Sequence, residues 1–506
     1  MSRSQSRSVV IAATGGASLR ERVARSMFWI TWSRGALQLL TFATTLLVAR
    51  ILVPSDYGLM ALAGFWTGIA SMLAEMGLGS AIIQFRDLEK REIDTCFWIT
   101  MMLAIVCCVA LALGSPVIAR WFDAPGLAEV LPVLSLVLPL TACRVVSDSL
   151  LRKRLQLDRV SQAELISSAI TLPVTFGCAL GGLGVWALVV GALVNPAVRS
   201  LATFAFAPWY PGLRLGGERV REVVHFSLAT LGVKVMWALR EWGNTLVIGK
   251  VTGQVNTVGL YPMAEEIALL PGTKISTVVN MLSSPVMAEL QQDLDGMRAA
   301  FHRALRLTAA LALPASTGMA LVAEDMVAVL LGPKWLPAVP VLRLLCIYAG
   351  VRAVDVLLPP VLFARRRERF LFWYCAALLI VTPTAAVLGT LWNGALGTVA
   401  FATPVYCAVM AFMAKQALAE MEVGFIDLWL VLRPILTATV IMAATVLMLR
   451  ELALTGGPAS AVVRLLLLSA SGAIAYGAAL LIIGGPVIEE GAEVLGWMLG
   501  RRRRDA

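Results

Sequence analysis

An all-α bundle of about 14 membrane-crossing helices, built as two related six-helix halves with two helices added, is the fold class this sequence predicts. Three observations predict it. The 506 residues are 59% hydrophobic and 15% charged, with a mean hydropathy of +0.81, more apolar side chain than a water-soluble fold can bury. Lys and Arg gather in every second loop, and a stretch near residue 50 returns about 200 residues later.

Each crossing of a roughly 30 Å hydrocarbon core takes about 20 apolar residues as a helix. In order, the apolar segments run from Ser26 to Val53, Tyr57 to Phe85, Thr95 to Ala119, Leu127 to Leu151, Val160 to Leu180 and Leu183 to Ala207. A second set runs from Val223 to Gly249, Thr257 to Ala288, Met297 to Leu331, Leu336 to Ala364, Phe370 to Leu391 and Gly394 to Ala417. Ile426 to Leu449 and Ala461 to Gly485 complete the series. The division is therefore a basic tail (1–25), an N-lobe (26–207), a cytoplasmic linker (208–222), a C-lobe (223–417), two further spans (418–485) and a second basic tail (486–506).

Loop charge orients the bundle. Alternate loops and both tails hold 29 cations, among them Arg152, Lys153, Arg154, Arg365, Arg366 and Arg367, while the intervening loops hold 6: Arg50, Arg120, Lys250, Lys334, Arg450 and Arg464. Cationic short loops stay in the cytoplasm, so both termini are expected there and the number of spans is even. The net charge of +10 is a topology signal and implies no nucleic-acid partner. The first 25 residues are Ser/Arg-rich and lack a signal-peptide apolar core, so the first span is expected to be retained. The eight cysteines have no metal-ligand spacing and read as small core residues.

The repeat relates Ala49-Arg50 to Gly249-Lys250, and Gly58-Leu59 to Gly259-Leu260. At an offset of 208, Pro132-Val133-Leu134 falls on Pro340-Val341-Leu342 and Arg144 on Arg352; at 200, Arg34 falls on Lys234. Two parallel copies of one bundle place a cleft between them, an arrangement suited to alternating access.

Seven cations fall inside spans: Arg34, Arg144, Lys234, Arg240, Lys274, Arg343 and Arg352. At about 2.5–3.5 kcal/mol each, exposing all of them to lipid would cost on the order of 20 kcal/mol, so most must face protein or water. Arg34, Arg144, Lys234 and Arg352, with Lys274, form the candidate substrate-binding set: guanidinium forks match phosphate oxygens, and the guest is an anion. Asp148 and Asp355 lie one turn beyond Arg144 and Arg352 and offer each a same-helix ion pair. Arg240, Glu241, Glu265 and Glu266 read as an interhelical ion-pair set. Glu75 is the leading carboxylate for ion coupling, with Asp148 and Asp355 behind it; a salt bridge from Glu75 to a lumen arginine is the alternative.

ARILVPSDYGLMALA with MGLGSAIIQ (49–63 and 76–84), VGLYPMAEEIALLPGTKIS (258–276) and LLGPKWLPAVPVLRLL (330–345) resemble the polysaccharide-transporter branch of the MOP flippase superfamily, the Wzx-type oligosaccharide-lipid flippases including the colanic-acid-exporter-like group. The resemblance covers roughly residues 20–420, and its motifs mark helix ends: Pro54-Ser55-Asp56 breaks one span and caps the next, and Gly58 permits close helix approach. It implies a two-bundle transporter that moves polyprenyl-pyrophosphate-linked sugar units from the cytoplasmic to the periplasmic face of the inner membrane through a cationic cavity. Its implied partners are that lipid-linked substrate, membrane lipid, and a downstream polymerase and export machinery; no cofactor or metal is implied.

Three rivals follow from the same features. A lipid II flippase shares the span number and the pyrophosphate lipid. A multidrug exporter of the same superfamily carries cations, which a cation-rich lumen repels. A membrane glycosyltransferase or polymerase needs a sizeable extramembrane loop, whereas the periplasmic loops here span about 5–12 residues; P-loop and HExxH motifs are absent.

Overall fold

The computed structural model describes residues 41–85, 87–213, 216–455, 460–485 and 488, and those residues form helices and turns without a strand. The expected tails (1–25, 486–506), the first part of span 1 and Arg34 lie outside the described residues.

The N-terminal half comprises α1 (Thr41–Ile51), α2 (Pro54–Glu75), α3 (Leu78–Gln84), α4 (Lys90–Trp121), α5 (Leu127–Leu134), α6 (Val137–Lys153), α7 (Leu157–Leu180) and α8 (Val185–Phe206). The C-terminal half comprises α9 (Val220–Thr252), α10 (Val255–Glu289), α11 (Leu294–Leu330), α12 (Val339–Asp355), α13 (Leu358–Ala364) and α14 (Glu368–Glu420), followed by α15 (Phe425–Thr455) and α16 (Ala461–Ile483). α14 folds back on itself at Asn393 and Gly394, whose backbone leaves the helical region, so it serves as two helices.

Nine helices among the described residues are long and apolar enough to cross a membrane. α9 and α10, 33 and 35 residues long, have the length but carry Lys234, Arg240 and Glu241, and Glu265, Glu266 and Lys274. Fourteen crossings remain the number that hydropathy and loop charge propose.

Three segments expected as single spans are broken. Span 2, expected from Tyr57 to Phe85, is interrupted at Met76 and Gly77, both left-handed, and α3 restarts from there. Span 4 divides into α5 and α6 at Ser135, and span 10 divides into α12 and α13 ahead of Pro359 and Pro360. Pro cannot donate to the preceding turn, which favours the break in span 10.

Turns gather at opposite ends in alternation. At one end lie the turns near residues 52, 123, 182, 253, 332 and 393: Asp56 abuts Gly184, and Gly394 abuts Thr252. Asp56 caps α2 by accepting from the Val53 amide (3.1 Å), as the Pro-Ser-Asp sequence predicts. The largest apolar core sits near this end and draws on both halves: Leu62, Phe122 and Leu131 from one, Tyr261, Trp335 and Leu342 from the other. Trp335 is fully buried, with its ring edge-on to Tyr57 at 5.3 Å.

The connection between the halves is strapped to α4. Trp98 Nε1 donates to the Gly212 carbonyl (3.0 Å), the Gly216 amide to Thr95 Oγ1 (2.9 Å) and the Arg219 amide to Glu92 (3.0 Å). Trp209 packs edge-on against Phe97. The first turns of α9 continue onto this half, with Val223 in the same core cluster as Ile82 and Phe97.

α15 and α16 attach to α11 by charge. Arg464 forms a 2.7 Å ion pair with the buried Asp325, and Arg450 forms a 2.6 Å pair with Glu324, which Arg343 also approaches at 3.5 Å. All eight cysteines are free; Cys96 and Cys346 are buried as expected of core residues, whereas Cys143 and Cys375 are exposed.

Candidate substrate cleft

α9 runs between two charged clusters. On its N-lobe side, Glu75 near the end of α2 lies within electrostatic reach of Arg144 and Asp148 on α6 and of Lys234 on α9. On its C-lobe side, Arg240 and Glu241 meet Arg352 and Asp355 on α12 around a cavity of about 520 Å³. Lys234 and Arg240 are six residues apart, which separates them by about 120° around the helix axis.

The same-helix pairs expected from spacing do not form. Asp148 takes Arg152 instead of Arg144, at 2.8 Å, one turn further on and nearer the helix end. Arg199, also close to Arg144, is committed to Glu164 at 3.2 Å. Arg144 is left without an ion-pair or hydrogen-bond partner among the described residues, and its Nε is buried. Arg352 reaches across to Glu241 at 2.7 Å, with side chains only 20% and 16% exposed. Its guanidinium also lies 5.9 Å from the centre of the Tyr348 ring. Asp355 instead accepts from Tyr406 (2.6 Å) and Tyr374 (3.3 Å). For Arg352 and Asp355 a partner from another helix wins, because a buried charge needs a well-oriented partner more than a near neighbour in sequence, whereas Asp148 keeps a same-helix partner one turn further on.

The expected ion-pair set on α9 and α10 is corrected in the same way. Glu241 pairs with Arg352, and Glu265 accepts from Tyr261, whose hydroxyl in turn accepts from Asn244 (3.2 and 3.0 Å). Arg240 acquires no carboxylate within ion-pair distance among the described residues, although it lines the cavity. The sequence places it in an ion-pair set because Glu241 stands beside it, whereas Glu241 is taken by Arg352. Lys274 is exposed on α10 and lines neither this cavity nor the smaller one of about 220 Å³ on the other side of Arg352.

The structure thus brings together Arg144, Lys234, Glu75 and Asp148 in one cluster, and Arg352 with Asp355 in the other. Arg34 lies outside the described residues. Among the described residues, neither Arg144 nor Arg240 has a carboxylate within ion-pair distance, although Glu75 and Asp148 lie near the first and Glu241 near the second. The 520 Å³ cavity extends from Arg240 and Arg352 to Gln291 and Ala364, where α10 and α13 end. No three His, Cys, Asp or Glu side chains among the described residues converge in a way that would hold a metal ion.

Many apolar helices of membrane-crossing length, with charged side chains clustered among them, mark a multi-pass membrane protein. Among solved structures, the lipid II flippase MurJ in an inward closed conformation superposes with a TM-score of 0.73 at 12% identity, covering 92% of this chain and 100% of that one. An inward-facing multidrug resistance transporter of the MATE family, in the MOP superfamily, gives 0.60 at 15% identity over 76% and 96%. These likenesses show the fold. The profile of the polysaccharide biosynthesis protein family matches residues 47–340, more than half of the sequence, and the chain belongs to that family. Curated relatives include the lipopolysaccharide biosynthesis protein WzxC of Escherichia coli K12, 27% identical over 386 residues (75% of this chain, 77% of that one). The succinoglycan biosynthesis transport protein ExoT of Rhizobium meliloti 1021 is 26% identical over 369 residues (73% and 74%).

Proposed function

We propose that this protein is a flippase, not an enzyme, and that it moves polyprenyl-pyrophosphate-linked oligosaccharide units from the cytoplasmic to the periplasmic leaflet of the inner membrane for polysaccharide assembly. Family membership and relatives named for lipopolysaccharide and succinoglycan biosynthesis support the pathway. The observation that supports the substrate class is that neither Arg144 on α6 nor Arg240 at the 520 Å³ cavity has a carboxylate within ion-pair distance among the described residues. An unpaired arginine away from water is costly, and a pyrophosphate offers each a bidentate partner that relieves the cost. In this reading Lys234 adds a mobile point charge, and Arg34 and Lys274 guide the headgroup toward the cleft. Arg352 is held by Glu241 and shapes the cavity wall. Glu75 is assigned the ion-coupling role ahead of Asp148 and Asp355, which already have hydrogen-bond partners. Both termini are placed in the cytoplasm by the loop charges.

The test is the lipid-linked sugar pool in cells lacking the protein, separated by membrane face. The expected result is polyprenyl-pyrophosphate oligosaccharide accumulating on the cytoplasmic face, cured by wild type and not by Arg144→Ala/Arg240→Ala. Accumulation of the peptidoglycan precursor instead identifies the lipid II rival. Accumulation on the periplasmic face replaces flipping by polymerisation.

A further inference from the structure

The two ends of the molecule use their cations differently. At the end that carries most of the basic loops, cations cap carbonyls within their own half: Lys153 to Phe85 (2.7 Å) and Arg159 to Phe206 (3.0 Å) in one, Arg365 to Gln291 (3.2 Å) and Arg298 to Met421 in the other. At the opposite end the bonds cross between halves. Arg50, ending α1, donates to the Val329 carbonyl at the end of α11. Lys250, ending α9, donates to the Trp121 carbonyl at the end of α4 (2.7 Å) and lies 5.2 Å from that tryptophan's ring centre.

This exchange is reciprocal. Arg50 and Lys250 are counterparts at the offset of 200, and Trp121 and Val329 are counterparts at 208, the offset that relates Pro132 to Pro340. Each half therefore lends the cation at the end of its first helix to the carbonyl end of the other half's third helix. Helix C-termini present unsatisfied carbonyls and the negative end of the helix dipole, which suits a cation. The repeated small-residue-plus-cation motif thus has a structural purpose in both copies.

The second part of the motif supplies the pivot. Gly58 and Gly259 bring α2 and α10 into backbone contact; a Cβ on Gly58 would overlap the Val255 carbonyl, and one on Gly259 the Pro54 carbonyl. Two further donors act from one side: Lys334 Nζ to the Ile51 carbonyl and Trp335 Nε1 to the Ala49 carbonyl, both at 2.9 Å. Their counterparts at the offset of 208 are Gly126 and Leu127, which have no side-chain donor, so the clasp is lopsided.

We propose that Arg50 and Lys250 form a reciprocal latch that holds this end of the cleft shut around the Gly58–Gly259 crossing, and that its release opens the side opposite the basic loops. The latch follows from helix-end geometry and does not depend on which anion the cleft carries.

Hydrogen exchange by mass spectrometry on the full chain in lipid nanodiscs, without substrate, tests it. In Arg50→Ala/Lys250→Ala, amides of residues 51–58 and 251–259 are expected to exchange about tenfold faster or more, since two charge-assisted hydrogen bonds are lost. Those of residues 153–157 and 289–296 should be unchanged or slower. The exchanged pair Arg50→Lys/Lys250→Arg keeps a cation at both places and should retain wild-type protection. Unchanged exchange in the alanine variant overturns the latch, as does equal loss of protection in both variants. Faster exchange throughout the chain in the alanine variant also overturns it, because the two residues would then hold the fold together rather than one end.

Discussion

At the scale of single residues, the cleft is governed by which cation already has a carboxylate. Arg352 and Glu241 are mutually dependent: removing one leaves the other charged and poorly solvated. Arg352→Ala should cost about 3–5 kcal/mol of stability, and Arg352→Ala/Glu241→Ala should recover most of it, a cycle readable by thermal unfolding in detergent. Arg144→Ala and Arg240→Ala should lower the melting temperature less than Arg352→Ala and abolish rescue of transport, because neither arginine makes an ion pair or hydrogen bond among the described residues. Glu75→Gln keeps shape and removes the titratable charge; with purified protein in liposomes, transport should lose its dependence on an imposed ion gradient while substrate binding survives. These roles were only partly legible in the sequence. Misplaced charge marked Arg144, Lys234 and Arg352 as functional because a cation in an apolar span demands explanation. Their partners were hidden, since helical spacing favours Asp148 and Asp355, whereas Arg152, Glu241, Tyr374 and Tyr406 arrive from other turns and other helices.

At the scale of helices, the sequence announced positions better than continuity. Helix ends at Ile51, Thr252 and Glu420 follow from Pro54, Gly253 and the polar stretch after Ala417, punctuation that any apolar chain must carry. The break at Ser135 lies within apolar sequence, where hydropathy has no reason to change, whereas that at Val356 sits between Asp355 and Pro359-Pro360, inside one long apolar segment. The α2–α10 crossing depends on bare backbone at two points. Gly259→Leu should force these helices apart, lowering the melting temperature and increasing exchange in both, whereas Gly64→Leu, whose Cβ meets open space, should do neither.

At the scale of the whole molecule, the repeat was the most informative sequence feature, because its matched pairs Arg50 and Lys250, and Gly58 and Gly259, hold matching places in the two halves. It did not reveal that its two copies touch each other, since pairing across a pseudo-symmetry axis leaves no mark on either copy alone. The added helices are held through Asp325 and Glu324, so Arg464→Ala, which leaves buried Asp325 unpaired, should loosen α16 and expose it to protease in solubilised protein.

The strap between residues 209 and 219 has one more consequence. With Gly212, Gly216 and Arg219 bonded to α4, the approach to α9 is tied to the first half, and reorientation of the second half falls on α9 itself. α9 contains no proline, and at Gly232 and Gly243 a Cβ would meet nothing, so bending has room there. The peptide bond between Gly216 and Gly217 is then mechanically idle. Two chains divided at that point and expressed together should find each other, co-purify and transport, since what joins the halves is the root of α9 lying against its neighbour and not the thread that leads to it.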